Sequence, residues 1–587
     1  MVNQADSDRE HLLTPVLHAV ETAPNRPMVS VRVGDGFVDR SSTEVWDRVV
    51  ALARGLIAAG VGPGARVALM SATRVEWLEV DLAVNAIGAV TVPIYDTSSA
   101  EQVEWILTDS QADLMVAETE AMAALAEGVE HVRVVTIAGG GLDRLADEGE
   151  ATEPAAVSER LEGLDGDAIA TLIYTSGTTG RPKGCVLTHG NLRSNVAQIT
   201  DALGDTFGPA DTTVVFLPLA HILSKTTVAF ALERGVRIAF GTSLAELPNE
   251  FQMMKPTVIA AVPRIFEKVF AKAQQSAAEG HKTRLFDKAV SIAQRWSQQR
   301  MAGHVSPLVR AEHAVFDPVV YSKVRAAFGG ELKIAFSGGS PLDEDLCSFF
   351  DGAGVRVFEG YGLTETSPIL TINRLDGWKP GTVGLPVADT EITLAEDDEI
   401  LVKGPQVFGG YWRNEAATAE AFDEEGRFRT GDVGQFDDEG FLRIVGRKKE
   451  LIVTSAGKNV APEPLENRLR SHRLISQAMV VGDNRPFIAA LVTIDEEAIV
   501  EWQTEVDLEF KALPELIASP ELRAEIDEAV HGANESVSRA ESIREFRILP
   551  SDLSPERGEV TPTLKVRRMA VHKNWRPTIE EIYEPSS

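Results

Sequence analysis

The chain has 587 residues, 44% of them hydrophobic and 25% charged, with a formal charge of −31 and a pI near 4.8. That length suggests two to four domains, each large enough to bury a core. The acidity argues against nucleic-acid binding, which needs a basic face to neutralise phosphates. The two cysteines, Cys185 and Cys347, form neither a CxxC pair nor a zinc ligand set, and they suit a reducing, cytoplasmic compartment. No secretory pattern follows Met1, and no uncharged apolar run reaches the about 18–20 residues of a membrane span. Peripheral contact with a membrane is left open.

Along the chain, short apolar runs alternate with helical patterns. Arg66–Met70 reads as a strand, Arg74–Ile87 as a helix and Ala89–Tyr95 as a strand. Strand-like runs recur at Ala112–Ala117, His131–Ile137, Ala168–Tyr174, Val236–Phe240, Thr257–Ala261 and Leu332–Phe336. This βαβ rhythm predicts an α/β fold with mostly parallel sheets. Gly141–Asp167 carries nine acidic residues against two basic ones and reads as a solvated loop. Phe266, Val269, Phe270 and Ala273 follow helical spacing, so Pro263–Arg300 is expected to form one or two amphipathic helices. From Leu451 onward, strand runs (Ala478–Val481, Ala489–Ile494) mix with helices. The basic turn Gly446-Arg-Lys-Lys-Glu450 is the candidate domain boundary.

The densest chemical signal is Tyr174-Thr-Ser-Gly-Thr-Thr-Gly-Arg-Pro-Lys-Gly184. Its glycines let the backbone bend close to an anion, Thr175, Ser176, Thr178 and Thr179 supply hydroxyls, and Lys183 supplies charge, so the loop suits the β- and γ-phosphates of a nucleotide. It is not a Walker A loop: Pro182 stands five after Gly177 and Cys185 five after Gly180, where that motif needs Gly.

This loop resembles the signature of the adenylate-forming (AMP-binding) superfamily, which includes acyl-CoA synthetases, peptide-synthetase adenylation domains and firefly-type luciferases. The resemblance continues in order along the chain. Phe216-Leu-Pro-Leu-Ala-His-Ile222 is similar to the segment bordering the carboxylate site, with His221 near the acyl group. Ser337-Gly-Gly-Ser-Pro-Leu342 resembles the loop edging adenine, through Gly339, Ser340 and Pro341. Glu359-Gly-Tyr-Gly-Leu-Thr-Glu-Thr366 resembles the next core motif. Its likeness implies Gly360, Tyr361 and Gly362 against adenine, Thr364 at the α-phosphate and Glu365 on Mg²⁺. Phe428-Arg-Thr-Gly-Asp432 resembles the ribose motif, with Asp432 and then Arg447 on the hydroxyls. Lys449 falls where the family hinges its small domain. Pro562-Thr-Leu-Lys-Val-Arg-Arg568 resembles the terminal motif of the catalytic lysine, here Lys565, with Leu564 where many members have Gly.

The implied nucleotide contacts are Thr175, Ser176, Gly177, Thr178, Thr179, Gly180, Lys183, Gly339, Ser340, Pro341, Gly360, Tyr361, Gly362, Asp432 and Arg447; Lys565, Thr364 and Glu365 are the implied catalytic set. The implied architecture is a large N-terminal domain over 1–447, of parallel-rich sheets sandwiched by helices, with a helical insertion at about 263–325. A small mobile α+β lid over 448–587 follows. The Pro-Thr-Leu-Lys form, the insertion after Val262-Pro-Arg-Ile-Phe-Glu267 and the Ala456-Gly-Lys-Asn-Val-Ala-Pro462 form resemble the long-chain fatty-acyl-CoA synthetase branch. The implied reaction is ATP plus fatty acid to acyl-AMP and pyrophosphate, then CoA to acyl-CoA and AMP. Competing readings are a fatty acyl-AMP ligase that loads a carrier protein and, from another class, a non-catalytic nucleotide- or lipid-binding protein. Chain length of the acid, CoA contacts and oligomeric state are not legible in the sequence.

Overall fold

The computed structural model describes residues 11–175, 181–280, 282–455, 458–506, 508–535, 537–539, 541–561 and 565–584. The fold is mixed α/β, with a large N-terminal domain and a smaller C-terminal one.

Two sheets form the body of the large domain. In the six-stranded sheet, Arg133–Thr136, Leu114–Ala117, Arg66–Met70, Val90–Ile94 and Ile169–Thr175 run parallel, and Lys183–Thr188 closes the edge as an antiparallel partner of Ile169–Thr175. The nine-stranded sheet has six parallel strands (Val357–Gly362, Ile334–Ser337, Val258–Ala261, Thr212–Val215, Arg237–Phe240, Pro27–Val33) between antiparallel edges. Central strands such as Leu114–Ala117 and Val90–Ile94 are buried at every position. Their apolar runs are therefore continuous rather than alternating, as sheets covered on both faces require. The helix Val75–Ala86, between two neighbouring strands of the six-stranded sheet in sequence, is buried at every position except Glu76.

A four-stranded antiparallel sheet follows: Glu391–Leu394, Glu399–Lys403, Phe428–Phe436 and Leu442–Arg447. The C-terminal domain has a three-stranded sheet, Ile475–Val481, Ile488–Ile494 and Ile543–Ile548, covered by the helices Pro462–Arg470 and Pro520–Asn534. Leu465, Leu469, Val480, Trp502 and Ile526 are almost fully buried in its core; truncating one such leucine to alanine costs about 2–5 kcal/mol.

One expectation is corrected. Gly141–Asp167 is not a loop: it holds the helices Gly141–Glu148 and Ala155–Glu162. Leu142, Leu145 and Val157 bury one face of each in the main core. The acidic residues that made the segment look solvated occupy the outer faces.

The Pro263–Arg300 segment forms two helices, Pro263–Glu279 and Thr283–Met301. A third, Pro307–Phe316, runs into a π-helical turn, Asp317–Tyr321.

Candidate active site

The strand Ile169–Thr175 and the strand Lys183–Thr188 form a hairpin in which Thr175 lies opposite Lys183 and Tyr174 opposite Gly184. Ser176, Gly177, Thr178, Thr179 and Gly180, expected to wrap phosphates, fall outside the described residues. Both ends of their loop are anchored. Tyr174 donates its hydroxyl to Asp109 at 2.7 Å, and Trp105 donates its indole N–H to the Pro182 carbonyl at 2.9 Å. Lys183 places its ammonium 5.1 Å from the Tyr411 ring centre. Tyr411 in turn donates to Glu365 Oε1 at 2.8 Å. Burial and the Glu365 charge push the Tyr411 phenol far above its usual range, so it stays a donor. Tyr411 carries no motif signal and was invisible in the sequence.

Glu365 sits with Thr364 on the single 3₁₀ turn Thr364–Thr366, directly after the strand Val357–Gly362. A β-carbon on Gly362 would lie 1.7 Å from the Pro368 carbonyl oxygen, so only glycine allows the chain to fold back here. Tyr361, one residue earlier, donates to Asp432 Oδ2 at 2.7 Å. Asp432 and Arg447 face each other across the strands Phe428–Phe436 and Leu442–Arg447, and Arg447 Nε meets Asp432 Oδ1 at 3.0 Å. Burial opposes the Arg447 charge, but Asp432, Glu450, Tyr361 and Glu365 hold its pKa above the ordinary arginine value. Tyr361, Glu365, Asp432 and Arg447 thus form one electrostatic cluster, although they lie up to 86 positions apart in the sequence.

The expected adenine loop follows the strand Ile334–Ser337. Gly339 has φ of +86°, a left-handed conformation that favours glycine. The far end is tied by the Leu342 N–H donating to Glu359 Oε2 at 3.0 Å. Glu359 is buried, its Oε1 has no hydrogen-bond partner, and burial raises its pKa to about 8. It sits at the head of the Glu359–Thr366 motif, but nothing in its spacing distinguished it from a structural residue.

His221 caps the helix Ile222–Arg234: its Nδ1 accepts from the Leu223 N–H at 3.1 Å. Burial, assisted by the nearby Lys565 charge, lowers its pKa to about 4, so the ring is neutral at physiological pH. The Lys565 carbonyl accepts from the Thr561 N–H at 2.8 Å, and Val560 bridges Val566 beside it. The Lys565 side chain still meets solvent. Even so, the surrounding protein and Arg447 hold its ammonium below the usual lysine range, partly offset by Glu463, Glu450 and Asp432. A residue almost four hundred positions from the hairpin loop is therefore within electrostatic range of His221, Arg447 and Asp432.

Among the described residues, the side chains of Arg468 and Arg264 reach from one domain to the other, and a third pair lies only within electrostatic range. Arg468 reaches Asp345 at 2.7 Å and Asp343 at 3.2 Å; Arg264 reaches Asp495 at 3.3 Å and Ser476 at 3.4 Å; and Arg567 lies within electrostatic range of Tyr95. Lys449, in the 3₁₀ turn Lys448–Glu450, is exposed and does not enter the cluster. Its neighbour Lys448 is tied back to Asp397 at 2.5 Å and Glu399 at 2.9 Å.

The chain that brings Tyr361, Asp432, Arg447 and Lys565 within electrostatic range of one another from separate motifs matches known sequences over almost its whole length. Residues 16–412 match the AMP-binding enzyme family and residues 449–587 the AMP-binding enzyme C-terminal domain. The chain belongs to the AMP-binding enzyme family. It is 48% identical to a protein named long-chain-fatty-acid–CoA ligase FadD15 from Mycobacterium bovis, over 94% of each chain. It is 31% identical to the peroxisomal long chain acyl-CoA synthetase 7 of Arabidopsis thaliana, over 97% of this chain and 85% of that one. Among solved structures, the adenylation domain of a carboxylate reductase from Mycobacterium chelonae superposes with a TM-score of 0.76 at 22% identity, over 98% of this chain and 91% of that one. ATP-bound MatB from Rhodopseudomonas palustris does so with a TM-score of 0.71 at 22% identity, over 98% and 100%. These two likenesses show the fold.

Proposed function

We propose that the protein is an AMP-forming long-chain fatty acid–CoA ligase. The observation that carries this reading is the position of Lys565, on the C-terminal domain, within electrostatic range of Asp432, Arg447 and His221. The identity to the named ligases along both domains supports the substrate class.

The chemistry follows from charge. A fatty carboxylate is already an anion at neutral pH, so the first step needs no base. Its barrier is the approach of an anion to a polyphosphate, and fixed positive charge and oriented donors lower it. Arg447 and Asp432 would hold the ribose, and Tyr361 and the Gly339–Pro341 loop would bracket adenine. Lys183, with the loop that precedes it, would hold the leaving phosphates. Lys565 would place its ammonium where charge builds up as the carboxylate oxygen bonds to the α-phosphorus and the bond to pyrophosphate breaks. Neutral His221 would border the acyl group without adding a charge that binds the carboxylate too tightly to react. In the second step the CoA sulfur bonds to the acyl carbon and the mixed-anhydride bond to AMP breaks.

Glu365 is a single hard carboxylate, oriented by Tyr411, beside Lys183. Among the described residues no group of three or more potential ligands could enclose a metal. This donor set fits Mg²⁺, which is held by one or two carboxylates and otherwise by phosphate oxygens and water. When bound it would neutralise phosphate charge.

Residues 1–447 act as the nucleotide- and acyl-binding body, and 448–587 as a lid that turns about Lys449 between the two steps. The Lys448 anchor to Asp397 and Glu399 ties the first residue of the lid to the body, while Lys449 is exposed. Both ATP and CoA are cytoplasmic substrates, and that is the compartment this reading implies. Among the described residues no helix is long and apolar enough to cross a membrane.

The test is pyrophosphate release across acids of increasing chain length, with and without CoA. The reading expects release with long acids and a CoA thioester as product. Thioester formed only when a carrier protein replaces CoA would convert the assignment to an acyl-AMP ligase. No acid-dependent release would leave a binding protein.

A further inference from the structure

Lys225 and Asp81 are buried together in the interior of the large domain. Lys225 Nζ meets Asp81 Oδ1 at 2.7 Å and Oδ2 at 2.5 Å, with the two side chains 5% and 9% exposed. The ammonium also lies 5.6 Å from the centre of the buried Trp77 ring. Stability does not account for this pair. Desolvating two charges offsets most of their attraction, and apolar residues of similar volume often serve as well or better. The place in the helix is also unfavourable. Lys225 stands in the first turn of Ile222–Arg234, where the helix dipole disfavours a cation.

The consequence of the pair is geometric. Lys225 lies one turn beyond His221, and its N–H donates to the His221 carbonyl at 3.2 Å. Fixing Lys225 therefore fixes the residue that caps the helix. Asp81 lies on Val75–Ala86, between two strands of the six-stranded sheet, whereas Ile222–Arg234 connects two strands of the nine-stranded one. Asp81 is itself held. Asn85 Nδ2 reaches the Asp81 carbonyl at 2.8 Å, Asp81 Oδ1 at 3.2 Å and Thr91 Oγ1 at 3.3 Å, and Thr171 donates to the Thr91 carbonyl at 2.8 Å.

Two further bonds complete the frame. Thr73, just ahead of Val75–Ala86, donates to the Leu217 carbonyl at 2.8 Å. Thr226, beside Lys225, donates to the buried Ser367 carbonyl at 3.1 Å, directly after the turn that carries Thr364 and Glu365. The segment from Leu217 to Lys225 is thus pinned at both ends to one helix of the other sheet, and its own helix is pinned to the Thr364–Thr366 turn.

We propose that the Lys225–Asp81 pair positions His221 for acyl-adenylate formation. It sets the rotation and height of the helix Ile222–Arg234, so that the neutral His221 ring keeps one place relative to the Thr364–Thr366 turn, where carboxylate and α-phosphate would meet. A salt bridge has one bonded geometry, whereas an apolar contact loses uniqueness and rigidity before it loses stability. Lys225 and Asp81 are positioning residues that act through His221, and this role rests on the ligase reading.

Removing one partner leaves the other charge buried and unpaired, which confounds folding with function. The test therefore replaces the pair as a unit, Lys225→Met with Asp81→Leu. Asn85 keeps its bond to the carbonyl of residue 81 in that variant. Its thermal midpoint is expected at or above that of wild type. At saturating acid and ATP, single-turnover acyl-AMP formation should slow at least about tenfold, because a small misplacement at the reacting centre is costly. KM for ATP should stay within about twofold of wild type, since the pair does not touch Tyr361, Asp432 or Arg447. A stable double variant with the wild-type rate overturns the proposal, as does a loss carried by KM for ATP instead. A midpoint well below wild type also overturns it and makes the pair a stability element. Wild-type protein that shows no acid-dependent pyrophosphate release overturns the ligase reading and this role with it, an outcome distinct from an active wild type matched by its double variant.

Discussion

Glu359→Gln isolates one buried proton. In the folded protein the Glu359 pKa is raised from 4.5 to about 8, chiefly by burial, while Leu342 N–H stabilises the charged form. Below pH 4.5 both the folded and unfolded states carry the proton, and the group has no effect on the slope of stability with pH. Between 4.5 and about 8 the folded state keeps a proton that the unfolded state has released, so wild-type stability falls as pH rises; above 8 the loss is complete. At 1.36 kcal/mol per unit, the full window is worth about 4–5 kcal/mol as an upper bound. Glutamine keeps the acceptor for Leu342 N–H and cannot ionise. Its unpaired amide adds an offset that does not vary with pH, so the slope is the observable. In a large domain of this size each kcal/mol moves the thermal midpoint by about 1 °C. The midpoint of Glu359→Gln minus that of wild type should therefore climb by about 4 °C between pH 5 and pH 8. A difference flat across that range, measured by scanning fluorimetry in matched buffers, would mean that Glu359 is ionised in the folded protein and that its role in holding the Ser337–Leu342 loop has been misread.

Two further predictions concern the domain arrangement. Arg468 bridges to Asp343 and Asp345 with its side chain 39% exposed, so each pair contributes only about 0.2–1 kcal/mol. Arg468→Ala should slow single-turnover acyl-AMP formation by about two- to fivefold and spare thioester formation from supplied acyl-AMP; no change in either step would remove the bridge from the account. Lys449→Pro, which fixes φ at the proposed hinge, should leave pyrophosphate exchange near wild type and depress acyl transfer to CoA. Unimpaired transfer would place the hinge elsewhere.

The sequence was most informative where chemistry is written contiguously. Glu359–Thr366 and Phe428–Asp432 each bring several ligand-type residues within one turn of chain, and the structure joins Tyr361 to Asp432 and Asp432 to Arg447. Lys565 was legible only through its place in the order of motifs, because an isolated C-terminal lysine is ordinarily solvated. Tyr411 and Glu359 were not legible: a single tyrosine and a single glutamate have no spacing, and their meaning lies in contacts to Glu365 and Leu342 made across the fold. The helices in 141–167 were hidden for a related reason. Two short helices bury only Leu142, Leu145 and Val157, and so few apolar residues among nine acidic ones give no periodicity. The clamp between Arg468 and Asp343/Asp345 joins surface residues whose charges look like solvated faces until both domains are placed.

The central claim is that one lysine on the C-terminal domain drives the first step and is dispensable for the second. Its most direct measurement is the pair of half-reactions in Lys565→Ala. The account predicts that acid-dependent ATP–pyrophosphate exchange falls to background while the rate of acyl-CoA formation from added acyl-AMP stays close to wild type. Equal loss of both half-reactions, or exchange that survives the substitution, would contradict it.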